Sequence, residues 1–100
     1  MSAGSACLCE PATDSTVLFQ QAIDVVSELT ALAQQPLDVS SRFSDAFDLV
    51  HELPLTKVQQ HSVVRGLRIA RKLQAYREFG AARHELDIVR RSLTRCQLEQ

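Results

Sequence analysis

The stretch "LQAYREFGAARHEL", residues 73–86, decides how this chain folds. Upstream of Gly80, the apolar residues Val63, Leu67, Ile69, Ala70, Leu73 and Tyr76 cluster on one side of a helical wheel. Downstream, Ala82, Leu86, Val89, Leu93 and Cys96 recur at the 4-3-4-3 spacing of a single helix face. At about 100° per residue the two clusters point about 160° apart on a common wheel. One rod over residues 57–96 would be about 60 Å long and would aim its apolar halves at opposite sides of the molecule. A glycine in the left-handed conformation can end a helix and let the chain reverse. The phase flip therefore predicts two helices folded back on one another at Gly80.

Working outward from that joint, two more helices appear. Asp14 or Ser15 can cap a first helix over residues 15–34, whose stripe is Leu18, Ala22, Val25, Leu29 and Leu32. Pro36 ends it, and Asp38 is placed to cap a second helix over 38–53 with Val39, Phe43, Ala46, Val50 and Leu53 on its face. Pro54 stops that helix. Thr56 and Gln59 have the spacing of a capping box opening the third helix, 57–79, and the fourth covers 81–97. Residues 1–13 are small and polar without periodicity, and read as a flexible tail ahead of a helical domain over 14–98. With links this short, neighbouring helices run antiparallel. The expected fold is all-α: a small four-helix antiparallel bundle, which homodimerisation could complete or extend.

Composition fits that class. The 100 residues are 45% hydrophobic and 23% charged, with three Gly and three Pro, as in a folded helical domain rather than a disordered tail. No apolar run approaches the ~20 residues of a membrane span. The opening "MSAGSACLCEP" lacks the basic and apolar regions of a signal peptide, so the expected localisation is cytoplasmic. Nine Arg to two Lys is the bias that a GC-rich bacterial genome produces. Three cysteines, Cys7, Cys9 and Cys96, do not make a disulfide framework, and with Cys96 on an apolar seam they do not make a tetrahedral metal site.

Charge is divided along the chain. Residues 1–54 carry one base and eight acids, a net of −7, and residues 55–100 carry ten bases and four acids, a net of +6. With a total of only −1, long-range attraction to phosphate is weak. The split favours two halves that neutralise each other, within one chain or across a dimer. Arg65, Arg68, Arg71 and Lys72 fall within about 120° of arc opposite the apolar cluster, where any amphipathic helix keeps its solvated residues. They are electrostatic contact candidates for an acidic partner, and more weakly for nucleic acid.

Catalytic patterns are missing. His84-Glu85 opens like a zinc-protease motif, but Ile88 stands where the second His belongs. There is no Gly-rich phosphate loop and no Gly-x-Ser-x-Gly elbow. The expectation is no enzyme, no cofactor and no metal.

The first helix is instead too apolar. Beside its main stripe run Phe19, Ile23, Val26, Thr30 and Ala33, and together the two cover about 180° where one core-facing stripe needs little more than about 100°. Either each helix touches two neighbours, or one stripe is a dimer seam or partner-docking face. The second helix is similarly broad, with Phe43, Phe47, Leu49 and Val50 all apolar. The second reading makes Phe19, Ile23, Val26 and Phe47 the contact residues, and the acidic face of Asp24, Glu28, Asp45, Asp48 and Glu52 then steers a basic partner or the basic half of a second copy. It describes a non-enzymatic interaction protein, a homodimer that binds and modulates another protein. A small bacterial regulator fits, such as an anti-activator that sequesters a transcription factor. The alternative is a DNA-binding transcriptional regulator that reads with the basic third helix. Against it, the Leu53-Pro54-Leu55 turn lacks the Gly usual in a helix-turn-helix.

Overall fold

The computed structural model describes residues 3–33 and 39–99, with side chains from residue 16 onward. Four helices follow one another: α1 (Ala3–Leu32), α2 (Ser40–Glu52), α3 (Lys57–Ala75) and α4 (Phe79–Leu98). The helix α1 packs on α2 and α4, α3 also packs on α2 and α4, and the diagonal helices face each other across the core. Neighbours are antiparallel. Gln59 at the start of α3 donates to Glu99 just past the end of α4 at 3.2 Å, and Arg42 early in α2 donates to Glu28 late in α1 at 3.0 Å. The chain is thus the expected four-helix bundle. It is elongated, 55 × 26 × 17 Å, because the 30-residue α1 outruns its partners.

The backbone of α1 is already helical from Ala3, well before the expected start near residue 15. Periodicity detects only turns that have an apolar face to bury, whereas a helix once nucleated propagates by one hydrogen bond per residue. The segment read as a tail is therefore continuous with α1. Capping at Asp14 or Ser15 and the role of Cys7 and Cys9 lie outside the described side chains. Pro36 and Asp38 are outside the described residues, and the N-cap of α2 is Val39, with no side-chain cap. The capping box before α3 is present as expected: Thr56 Oγ1 accepts from the Gln59 N–H at 3.1 Å, and Gln59 Oε1 accepts from the Thr56 N–H at 3.0 Å.

The reversal between α3 and α4 exists, but Gly80 does not make it. Gly80 lies inside the first turn of α4, with no positive φ. The left-handed residue is Arg77, φ 62°. The Glu78 N–H bonds the Leu73 carbonyl at 2.9 Å and the Arg77 N–H bonds the Gln74 carbonyl at 3.0 Å, the paired bonds of a Schellman reversal. The apolar phase flips near the predicted joint because α3 ends at Ala75, five residues upstream of the Gly. The glycine that the fold does require is Gly66: a Cβ there would lie 2.6 Å from Val89 Cγ2.

Core positions follow the expected faces on α2 and α4. Phe43, Ala46 and Val50, flanked by Val39 and Leu53, are buried, as are Ala82, Leu86, Val89, Leu93 and Cys96. Burial raises the Cys96 thiol above its ordinary value, keeping it a protonated packing group. On α3, Val63, Leu67 and Ala70 are buried, but Ile69 and Tyr76, expected in the cluster, are exposed.

Three single substitutions test this geometry by thermal or denaturant unfolding. Gly66→Ala should destabilise by about 1–3 kcal/mol, since Val89 is β-branched and cannot swing aside, and Val89→Ala should remove most of that penalty in the double variant. Arg77→Gly should stabilise by about 1 kcal/mol by relieving the left-handed strain. Gly80→Ala, with nothing within 4 Å of the added Cβ, should raise stability by up to about 1 kcal/mol.

A candidate protein-docking groove between the first two helices

The buried residues among the described side chains of α1 are Phe19, Ala22, Val26 and Leu29, with Ala33 just past its end. They form the centre line of the two stripes seen in the sequence, not either stripe alone. Leu18, Val25 and Leu32 flank that line on one side and Ile23 and Thr30 on the other, all half-buried. Val25 borders a hollow shared with α2, and Thr30 borders one shared with α4. The wide apolar arc serves two neighbours.

This relocates the expected contact residues. Phe19 and Val26 are in the core, 1% and 0% exposed, and cannot meet a partner. Ile23 is half-buried against the core, on the same flank of α1 as Thr30. Phe47, half-buried on α2, lies under the guanidinium of Arg71, 5.2 Å from the ring centroid, an electrostatic contact between cation and ring face. Of the four basic candidates on α3, Arg71 is engaged there. Arg65, Arg68 and Lys72 are exposed, and no ion pair holds any of them among the described residues.

The ion pairs carry a finding of their own. Arg42 takes Glu28 and Asp45, joining α1 to α2. Asp87 takes Arg90 and Arg91 within α4. Among the described residues none bridges the acidic α1–α2 hairpin to the basic α3–α4 hairpin, so the two halves do not neutralise each other through direct pairs. Their charges face outward. The Arg90 hydrogen bond, ahead of the smaller Coulombic pulls, holds the Asp87 carboxyl below its ordinary 3.8. A depressed value means stabilisation that is present above that pH and lost as acid titrates the group.

What the sequence did not single out is the groove on the outer side of α1 and α2. Its lining is Gln21, Asp24 and Val25 from α1 and Asp45, Asp48 and Leu49 from α2, around a shallow, open hollow of ≈ 450 Å³. Val25 and Leu49 form an apolar floor and both pack against the core beneath. Asp24, Asp45 and Asp48 form the rim. Asp45 is paired with Arg42, whereas Asp24 accepts only from Gln20, at 2.8 Å, and Asp48 has no pair among the described residues. The signal was present in the sequence as Val25 and Asp24 on one helix and Leu49 and Asp48 on the next. It becomes a site only when the two helices lie side by side.

Among the described residues no three or more His, Cys, Asp or Glu side chains converge as metal ligands, and no helix is long and apolar enough to cross a membrane. Comparisons with protein-family models, with curated proteins and with solved structures find no match to this chain.

Core and groove residues should separate cleanly in unfolding experiments. Phe19→Ala should cost about 3–5 kcal/mol, as a buried aromatic does. Val25→Ser and Leu49→Ser, which keep one side in solvent, should each cost about 1 kcal/mol or less.

Proposed function

We propose that this protein is a non-enzymatic interaction module that binds another protein through the α1–α2 groove. The observation that carries the reading is the unbalanced rim over an apolar floor. Val25 and Leu49 can take the apolar stripe of an incoming helix, while Asp24, Asp45 and Asp48 meet cationic side chains along its edges. Such a rim accelerates encounter with a basic partner and repels acidic ones. The ligand class is a basic amphipathic helix.

That ligand class connects to regulation. Helices that contact DNA are basic because they neutralise phosphate. An acidic groove with an apolar floor competes for the same helix, which is the action of an anti-activator on a transcription factor. A small bacterial cytoplasmic regulator of that kind is the biological role we favour.

The DNA-binding alternative relies on α3, and its best base-reading candidate is occupied. The Gln59 side chain closes the capping box with the Thr56 N–H and also donates to Glu99. Gln60 is half-buried. Arg65, Arg68 and Lys72 remain open to phosphate, but a reader needs base contacts near the helix start as well.

An 18-residue synthetic helix of Leu and Lys at 3.6 periodicity provides the probe, with the same residues scrambled as control. Calorimetric titration should show the periodic peptide binding at least tenfold more tightly, an affinity that falls with salt and is lost in Asp45→Lys/Asp48→Lys. Equal binding of both peptides, or binding that survives the double variant, would reject the groove.

A further inference from the structure

The outer face of the α3–α4 hairpin lies on the far side of the bundle from the acidic groove and is built differently. Two hollows, ≈ 280 Å³ and ≈ 250 Å³, share Ser62, Val63 and Ser92 and so form one trough along the hairpin. The trough is shallow-floored because Gly66 lets α3 lie against Val89. Its edges are aliphatic. Ile69 on α3 and Ile88 on α4 are 36% and 41% exposed, and Val58 at the far end is 79% exposed. The antiparallel register that sets Gln59 beside Glu99 and Gly66 beside Val89 puts Ile69 level with Ile88, and Lys72 level with Glu85.

We propose that this face is the seam of a two-fold homodimer in which α3 of one copy lies along α4 of the other. The choice of occupant rests on charge. A two-fold contact brings a patch against itself, so a face of one sign repels its own copy. The α1–α2 groove is such a face. The α3–α4 trough carries both signs: Arg65 and Glu85 line its Ile69 end, Arg95 and Glu99 its Val58 end, and Lys72 lies one turn beyond Ile69 on α3. Arg65, Lys72 and Glu85 are in no ion pair among the described residues. Laying α3 over the α4 of a second copy at the same height sets each Lys72 opposite a Glu85, with Arg65 within side-chain reach. The two Ile69 and two Ile88 side chains then form the dry centre, over the hollow between the small side chains of Ser62 and Ser92. Both acidic grooves stay on the outside of the pair.

Light scattering on the full chain eluting from a sizing column, loaded at about 50 µM, reads the answer without any ligand, so it stands apart from the fate of the groove. The expected mass is twice that of the 11.1 kDa chain. Ile69→Glu/Ile88→Glu should give single-chain mass with an unchanged helical circular dichroism spectrum, because both side chains already reach solvent. At low salt, Glu85→Lys or Lys72→Glu alone should weaken the dimer at least tenfold, and Glu85→Lys/Lys72→Glu together should restore it. A monomer in the unaltered chain would overturn the proposal. So would a dimer that survives the two isoleucine changes, or charge variants whose effects simply add.

Discussion

At Gly66 the backbone of α3 comes so near Val89 that a methyl group would not fit between them, and that approach fixes how closely α3 and α4 pack. The Arg77 reversal returns the chain antiparallel after only three residues, so α4 can take up α3 along its length. Against this tight hairpin the α1–α2 hairpin supplies the other half of the core. Phe19 and Phe43, one from each of its helices, are the largest fully buried side chains. The same close approach leaves a trough on the outer face of α3 and α4, bordered by Ile69 and Ile88. One small residue therefore shapes both the core and the surface that we assign to self-association.

Charge supplies the second organising constraint. The acidic and basic hairpins meet through apolar side chains and the stack of Arg71 on Phe47, with no ion pair across the join among the described residues. Exposed pairs such as Arg42 with Glu28 are screened by solvent and contribute little, so stability does not explain why the charges are sorted. Sorting does make two faces with different tastes. One is acidic over Val25 and Leu49, and rejects a copy of itself. The other is mixed in sign over Ile69 and Ile88, and tolerates one. A dimer through the second would present two copies of the first, which raises avidity for any partner that is itself dimeric.

Much of the fold was legible in the sequence because bundle helices advertise their buried faces. Phe43, Ala46 and Val50 on α2, and Ala82 through Cys96 on α4, all stand where spacing put them. The Thr56 and Gln59 box was readable because capping is local chemistry. Two expectations give way for identifiable reasons, and one feature has no signature on a single helix. The reversal was assigned to Gly80 since Gly is the usual left-handed residue, but a Schellman turn accepts Arg77 when packing on either side enforces it. Phe19 and Val26 looked surplus because a stripe count presumes one neighbour per helix, and α1 has two. The groove itself was invisible, since Asp24 and Val25 meet Asp48 and Leu49 only through tertiary packing. Phase on a single helix cannot report which flank lies beside which partner.

The most direct measurement is a two-dimensional amide NMR spectrum of the isotope-labelled chain, recorded as a basic amphipathic helix is added. If the acidic groove is the docking surface, the perturbed amides will centre on Gln21, Asp24, Val25, Asp45, Asp48 and Leu49, and those of Ser62, Ile69, Ile88 and Ser92 will stay in place. Shifts centred on α3 and α4, or scattered over every exposed acid without regard to Val25 and Leu49, would contradict it.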